Sequence, residues 1–358
     1  MTAALRAQTP APSPDVLVFK DDERLIGHFV QSNGNSLMFH SDSIGDVTVD
    51  WSKVKELRTN GRVAVVQKGV ELRKRQNVGT LPQGTLDMTE QTLHLQPAPA
   101  APPVTIPVAN ADHVLSQDTL QKVLHPAGFF ASWKGALTGG ITLVDATQQS
   151  RTFNGAATLV RTVPSETWVA PSNRTLLTVN GSYGKVTQPN TPSVKTEIYF
   201  IDAERDEYFS KKAYVFGEAA FNHNFSQGLD LAQRYSAGIG WTVLEKPNEE
   251  LDLKGSAGYI NQKFADGAQN ESLVGSTLEQ AFRRTFVHGM LFQERISITG
   301  TWNNLQAYFG SANATLTIPV YHRFASSFGF LDTFLNDPPP GFKKNSLQFT
   351  LGITYTLP

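Results

Sequence analysis

The chain has 358 residues, a formal net charge of −1, no cysteine and 18% charged residues. That balance removes the electrostatic case for nucleic acid, and the absent thiols exclude disulfide frameworks and cysteine-ligated metals. The most apolar stretch, 128-GFFASWKGALTGGITLV-144, is broken by Lys134, which excludes a helical membrane span but leaves open a β-barrel, whose strands need only about 9–11 residues.

Residues 1–14 read either as the tail of a secretory signal, with Ala7 suited to the position before cleavage, or as a chance match. The charged and apolar regions of a signal are not in the sequence. Residues 15–115 are β-rich with turn signals and read as a small SH3-like or Sm-like domain. An offset of 57 relates Gly27 to Gly84 and 47-VTV-49 to 104-VTI-106, and the strand 36-SLMFHS-41 has a counterpart in 92-TLHLQP-97. Two degenerate repeats, or one small domain with an extended tail interrupted by the prolines of 96-QPAPAAPPVTIP-107, both fit. Within 116–128, 116-SQDTLQKVLHP-126 reads as a short helix capped by Ser116 and stopped by Pro126. Leu120, Val123 and Leu124 form one apolar face, suited to a connector or a partner-binding helix.

From 129 onward the pattern has period two. Twelve strands are expected, near 133–145, 151–163, 174–185, 194–206, 212–223, 232–244, 249–261, 273–286, 289–302, 307–319, 323–333 and 345–357. In the last, Leu347, Phe349, Leu351, Ile353, Tyr355 and Leu357 oppose Ser346, Gln348, Thr350, Gly352, Thr354 and Thr356. Such lengths exceed those of most soluble strands and suit a tilted membrane crossing. The expected fold is all-β: an antiparallel transmembrane β-barrel of about twelve strands over 129–358, preceded by the small β-domain. Trp133, Tyr183, Tyr208, Tyr259, Trp302 and Tyr355 near strand ends suit interfacial girdles. An even strand number returns both barrel termini to one side, the periplasm in bacterial outer membranes.

Chemistry is sparse. No HExxH, GxSxG, P-loop or EF-hand pattern occurs. His223, His288 and His322 lie on separate segments, and His223 within 221-FNHNF-225 reads as a turn residue rather than a catalytic base. The acidic run 202-DAERDE-207 places Asp202, Glu204 and Asp206 on one face, in principle hard ligands for a cation, but reads as a solvated strand end at headgroup level. No catalytic, metal or cofactor site is expected, and no enzyme. Asp252, Lys254, Glu279, Arg283 and Arg295 are expected to face the lumen. There they form either a selectivity constriction or a salt-bridged plug filling a narrow barrel, the second slightly favoured.

Residues 202–244 and 335–357, with the opening Trp133-Lys134-Gly135, resemble the salt-induced outer membrane protein family, also called domain of unknown function 481. The similar motifs are the 214-YVFG-217 strand, the 238-GIGW-241 strand and the closing 337-DPPPGFKK-344 hairpin. The family's Gly-Asn after the first strand is replaced here by 145-DATQQSRTF-153, and the chain ends Leu357-Pro358 instead of on an aromatic. The resemblance implies an outer-membrane barrel linked to envelope stress, with lipid and the barrel-assembly machinery as partners, and supplies no reaction. Three readings follow: a narrow passive channel for small solutes, an anchor whose periplasmic domain 15–115 binds a protein partner, and, least favoured, an outer-membrane hydrolase.

Overall fold

Alternating apolar residues over 15–67 and 83–116 dictate strands rather than helices, and the chain forms them with short turns. The computed structural model describes residues 13–357 except 71, 73–79, 100, 125–127, 146–148, 165–168, 189–190 and 266–269. The expected cleavage position at Ala7 therefore lies outside the described residues. Two compact units result, residues 1–129 with 164–170, and residues 130–163 with 171–358.

Among the described residues the first unit has nine strands: β1 (Asp15–Phe19), β2 (Arg24–Asn33), β3 (Ser36–Ser41), β4 (Gly45–Asp50), β5 (Val54–Gln67), β6 (Gln83–Thr89), β7 (Thr92–Gln96), β8 (Val104–Pro107) and β9 (Ala111–Ser116). Their order in the sheet is β4-β3-β2-β1-β5-β6-β7-β8, with β9 closing against β2 and β5. The run β2-β3-β4, a 3-10 turn at Trp51–Lys53 and β5 recurs as β6-β7-β8, a 3-10 turn at Val108–Asn110 and β9. The long strand β5 serves both meanders, its first half pairing with β1 and its second with β9. Gly27 and Gly84 occupy matching close approaches. A Cβ at Gly27 would stand 2.0 Å from the His40 carbonyl oxygen, and one at Gly84 2.4 Å from that of Gln96.

Leu17, Phe39, Leu57, Met88, Leu93, Leu95 and Val114 form one shared core, each fully buried. Asp15 enters that core because its carboxylate accepts from the backbone N–H groups of Phe29 (2.8 Å) and Asn60 (2.7 Å). The helix α1 (Gln117–Leu124) is capped as its sequence dictates, Ser116 Oγ accepting from the Thr119 N–H at 3.3 Å. It buries Leu120 and Val123 against Ala64, Val66 and Leu115.

The second unit is a closed antiparallel barrel of twelve strands. They are β10 (Lys134–Asp145), β11 (Gln149–Val163), β12 (Asn173–Gln188), β13 (Thr191–Tyr208), β14 (Ala213–Asn224), β15 (Leu229–Lys246), β16 (Glu249–Phe264), β17 (Glu271–Thr285), β18 (Leu291–Thr301), β19 (Phe309–Tyr321), β20 (Phe324–Leu335) and β21 (Asn345–Thr356). Ala136 of β10 pairs with Thr356 of β21, so the barrel's chain enters and leaves at one end, here the terminal end. The opposite end is the distal end.

The outer wall is apolar and open. Leu347, Phe349, Leu351 and Ile353 of β21 are 55%, 72%, 66% and 65% exposed, while Thr354 beside them is 2% exposed. Exposed alternate apolar residues over a closed barrel define a surface that water does not favour and hydrocarbon does. Among the described residues no helix is long and apolar enough to cross a membrane.

Candidate functional site

The inner wall has two contrasting halves. From β18 through β21 and β10 to β12 it is small and hydroxylated. Ser297 meets Ser311 at 2.9 Å, Thr138 meets Thr354 at 2.7 Å, and Ser182 Oγ donates to Asn154 Oδ1 at 2.9 Å. From β12 to β18 it carries charge. Strand alternation sends Asp202, Glu204 and Asp206 of β13 inward together, where they are 0%, 2% and 0% exposed. A bare carboxylate in such a place is costly, so each needs a cation or donors.

The cations come from across the lumen. Arg174 on β12 reaches Asp206 at 2.7 Å, and on β16, four strands from its own, Asp252 at 2.8 Å and Glu250 at 3.1 Å. Lys254 on β16 bridges Glu204 on β13 at 2.6 Å and Glu279 on β17 at 3.2 Å. Arg295 on β18 stands 3.5 Å from Asp202, five strands away round a ring of twelve, and 3.5 Å from Glu279. Higher in the barrel, Glu218 accepts from Arg234 at 2.6 Å and from the Ser236 hydroxyl at 2.7 Å. The result is a brace of ion pairs tying one side of the barrel to the other.

Tyr214 is the packed centre of this brace. It is fully buried, and its hydroxyl lies 3.3 Å from both Asp252 and Arg174. Arg174 also stacks over the Tyr214 and Tyr208 rings at 5.3 and 5.9 Å, and Lys254 lies 5.5 Å from the Phe216 ring centroid. The Tyr214 ring has room only because β15 carries glycine beside it. A Cβ at Gly240 would stand 2.2 Å from the ring.

The distal end is capped by two loops folded inward. The turn Phe225–Gln227 between β14 and β15 lies opposite the β20–β21 loop, six strands round the ring. It nonetheless reaches it. The buried Gln227 amide donates to the Thr333 carbonyl at 3.0 Å and the Lys344 carbonyl at 2.9 Å, and accepts from Asn224 at 2.9 Å. The loop after β18 inserts Ala307 against Ile260, Leu273 and Phe309.

The sequence-derived candidates fall as follows. Asp252, Lys254, Glu279 and Arg295 sit in the brace. Arg283 shares their inward face on β17 but lies exposed at the terminal mouth, lining a cavity there. Asp202, Glu204 and Asp206, read from sequence as a solvated strand end, are instead the most deeply buried carboxylates of the lumen. Among the described residues no cluster of three or more histidines and carboxylates is arranged to hold a metal ion. His223 is a strand residue, not a turn residue. It stacks on Tyr199 at 5.7 Å, and its Nδ1 lies 2.6 Å from the Asp230 carbonyl. Of the aromatics, Tyr183, Tyr259 and Tyr355 lie on outward positions and Trp302 follows β18 at the distal end, 60% exposed. Trp133 immediately precedes β10. Tyr208 turns inward, its ring 4.9 Å from that of Tyr214, because the same alternation that buries Asp206 buries residue 208. Arg174, Arg234, Glu218 and Tyr214 belong to the brace without having been singled out from sequence.

A groove of about 630 Å³ lies on the barrel, lined by outward Ala203, Gly217, Ala219 and Ala237. Its lining also takes in Glu204, Glu218 and Ser236 of the inner face.

A family model described as "Protein of unknown function, DUF481" matches residues 138–357. The chain belongs to that family. The match covers nearly the whole barrel, and the brace and the caps lie within it. No curated protein matches the sequence. Solved barrels similar to the chain include the translocator domain of the autotransporter NalP from Neisseria meningitidis, 10% identical, covering 67% of this chain and 94% of that one with a TM-score of 0.34. The β domain of the Bordetella autotransporter BrkA is also 10% identical, with 63% and 97% covered and a TM-score of 0.31. BamA from Haemophilus ducreyi, lacking POTRA domains 1–3, is 8% identical, with 92% and 75% covered and a TM-score of 0.23.

Proposed function

We propose that the protein is an outer-membrane barrel closed to passive diffusion, serving as an anchor that holds its N-terminal β-domain on the periplasmic side. The observation that carries this reading is the Arg295–Asp202 pair, which with Arg174–Asp252 and Lys254–Glu204 ties facing walls together across the lumen. A twelve-strand barrel lies between those that side chains fill and those that leave an aqueous channel. Here long charged side chains occupy the middle and inward loops the distal mouth. The even strand number supports the topology, because both barrel termini emerge at one end. The domain of residues 15–115 then remains free to bind a periplasmic protein.

A second reading, a narrow channel for small solutes, draws on the hydroxyl-lined half of the wall, where Ser311, Ser327 and Thr354 carry small side chains in place of the brace's long ones. Release of small dyes and sugars from proteoliposomes separates the two. The anchor reading predicts release no faster than from protein-free vesicles. Size-limited release by the wild-type chain would establish the channel and overturn it. Neither reading uses an enzyme site or cofactor.

A further inference from the structure

At the terminal mouth, on the β17–β21 side, lies a cavity of about 360 Å³ whose lining includes Arg283, His322 and Arg323 together with the hydroxyls of Thr285, Thr317 and Thr356. Among the described residues its lining holds no carboxylate. The nearest acids in register are already engaged. Glu250, paired in register with Arg283, is held by Arg174 at 3.1 Å. Glu249, paired in register with Arg284, is held by Arg284 at 3.0 Å and Lys246 at 3.1 Å. On the other flank, Arg283 faces the neutral Gln293. Arg323 meets the Tyr355 hydroxyl at 3.4 Å. Arg283 has no ion-pair or hydrogen-bond partner among the described residues.

The contrast with the rest of the barrel is informative. Every inward cation of the brace is matched by carboxylates at 2.6–3.5 Å, yet here Arg283 and Arg323 line a concave space with no carboxylate among the described residues. Arginine forks are matched to planar or tetrahedral oxyanions, and threonine hydroxyls can supply the remaining donors. The volume falls at the lower end of small-ligand pockets. We propose that this vestibule is a binding site for a phosphate group, either free phosphate or the headgroup of an anionic phospholipid, with Arg283 as its principal ligand. The site does not depend on whether the barrel conducts.

The test uses the full chain in phosphatidylcholine nanodiscs. Inorganic phosphate is titrated at constant ionic strength against chloride, and broadening of the free-phosphate phosphorus NMR line is followed. The proposal predicts saturable broadening that is lost in Arg283→Gln and mostly retained in Arg283→Lys. Arg283 is exposed, so the variants are expected to fold, and heat-modifiable gel mobility verifies it. Repeating the titration in discs containing phosphatidylglycerol distinguishes the sources. Weakened phosphate broadening there identifies the lipid headgroup as the occupant, and unchanged broadening identifies free phosphate. No saturable broadening in phosphatidylcholine discs, or the same broadening in Arg283→Gln, overturns the proposal.

Discussion

Lys254→Met removes the cation that joins three strands of the brace. The Lys254 side chain is 3% exposed, and its ammonium sits between the side chains of Glu204, 1% exposed, and Glu279, 9% exposed. Methionine refills most of the aliphatic stem, so the loss is electrostatic rather than a cavity. Breaking one partner of a buried pair typically costs about 3–5 kcal/mol, because the remaining charge is left without compensation. Arg295, 3.5 Å from Glu279, can compensate that carboxylate, whereas among the described residues Glu204 has no second cation at ion-pair distance. The expected loss is therefore about 3 kcal/mol, the lower end of that range. The assay is urea unfolding of the folded barrel in phosphatidylcholine vesicles, followed by tryptophan fluorescence. Lys246→Met is the control. Its pair with Glu249 is 58% exposed on the lysine side, and such surface pairs contribute about 0–1 kcal/mol. Adding Glu204→Gln to Lys254→Met is expected to restore part of the loss, since it removes the uncompensated charge. A loss in Lys254→Met no larger than in Lys246→Met would refute the claim that the brace is dry and tightly coupled.

Other expectations follow from the same geometry. Gly240→Ala drives a methyl into the Tyr214 ring and is expected to destabilise the barrel by about 1–3 kcal/mol in the same unfolding assay, as overpacking does. Gln227→Ala removes the hydrogen bonds to Thr333 and Lys344 that hold the distal turn across the mouth. Because the chain lacks cysteine, paired spin labels at Phe225→Cys and Phe342→Cys report directly, and the distance distribution is expected to broaden in Gln227→Ala and stay narrow otherwise. In the N-terminal domain the hydrogen bond from Lys55, and then its charge, hold the Asp22 carboxyl below its usual range. A depressed carboxyl contributes stability above its unfolded range and loses it as pH falls through the folded value. Asp22→Asn should thus shift the domain's unfolding midpoint slightly near neutral pH, and the shift should fade as pH falls through the lowered folded value, below which the carboxyl is protonated in both states. Solvent exposure keeps the neutral-pH effect small.

The barrel was legible because one side of each strand meets hydrocarbon and the other does not. Alternation in 235–243 and 345–357 fixed both the strands and their faces. Asp252, Lys254, Glu279 and Arg295 could be placed inside for the same reason. Their partners could not, because the decisive pairs cross the lumen, as with Arg295 and Asp202, 93 residues apart. Local sequence sees only neighbouring strands, and 202-DAERDE-207 resembles any charged strand end when Arg205 sits between the acids. Arg205 in fact faces outward, where it binds Glu207 at 2.9 Å, leaving the acids to the inner face. The available signal was parity: Arg174 and Asp206 face each other in register on adjacent strands. The distal caps left no signal, since Gln227 and Ala307 are ordinary loop residues until the ring closes and brings distant loops together. In the small domain, the offset of 57 was readable from Gly27 and Gly84, but the sharing of β5 between the two meanders depends on pairing that no local pattern encodes.

Single-channel recording of the full chain in a planar bilayer tests the closed-barrel account most directly, with the wild type compared to Lys254→Met/Gln227→Ala. A silent wild type that inserts without discrete current steps, together with steps in the double variant, is the predicted result. Stable steps from the wild type, unchanged in the double variant, would mean that neither the brace nor the distal turn closes the lumen.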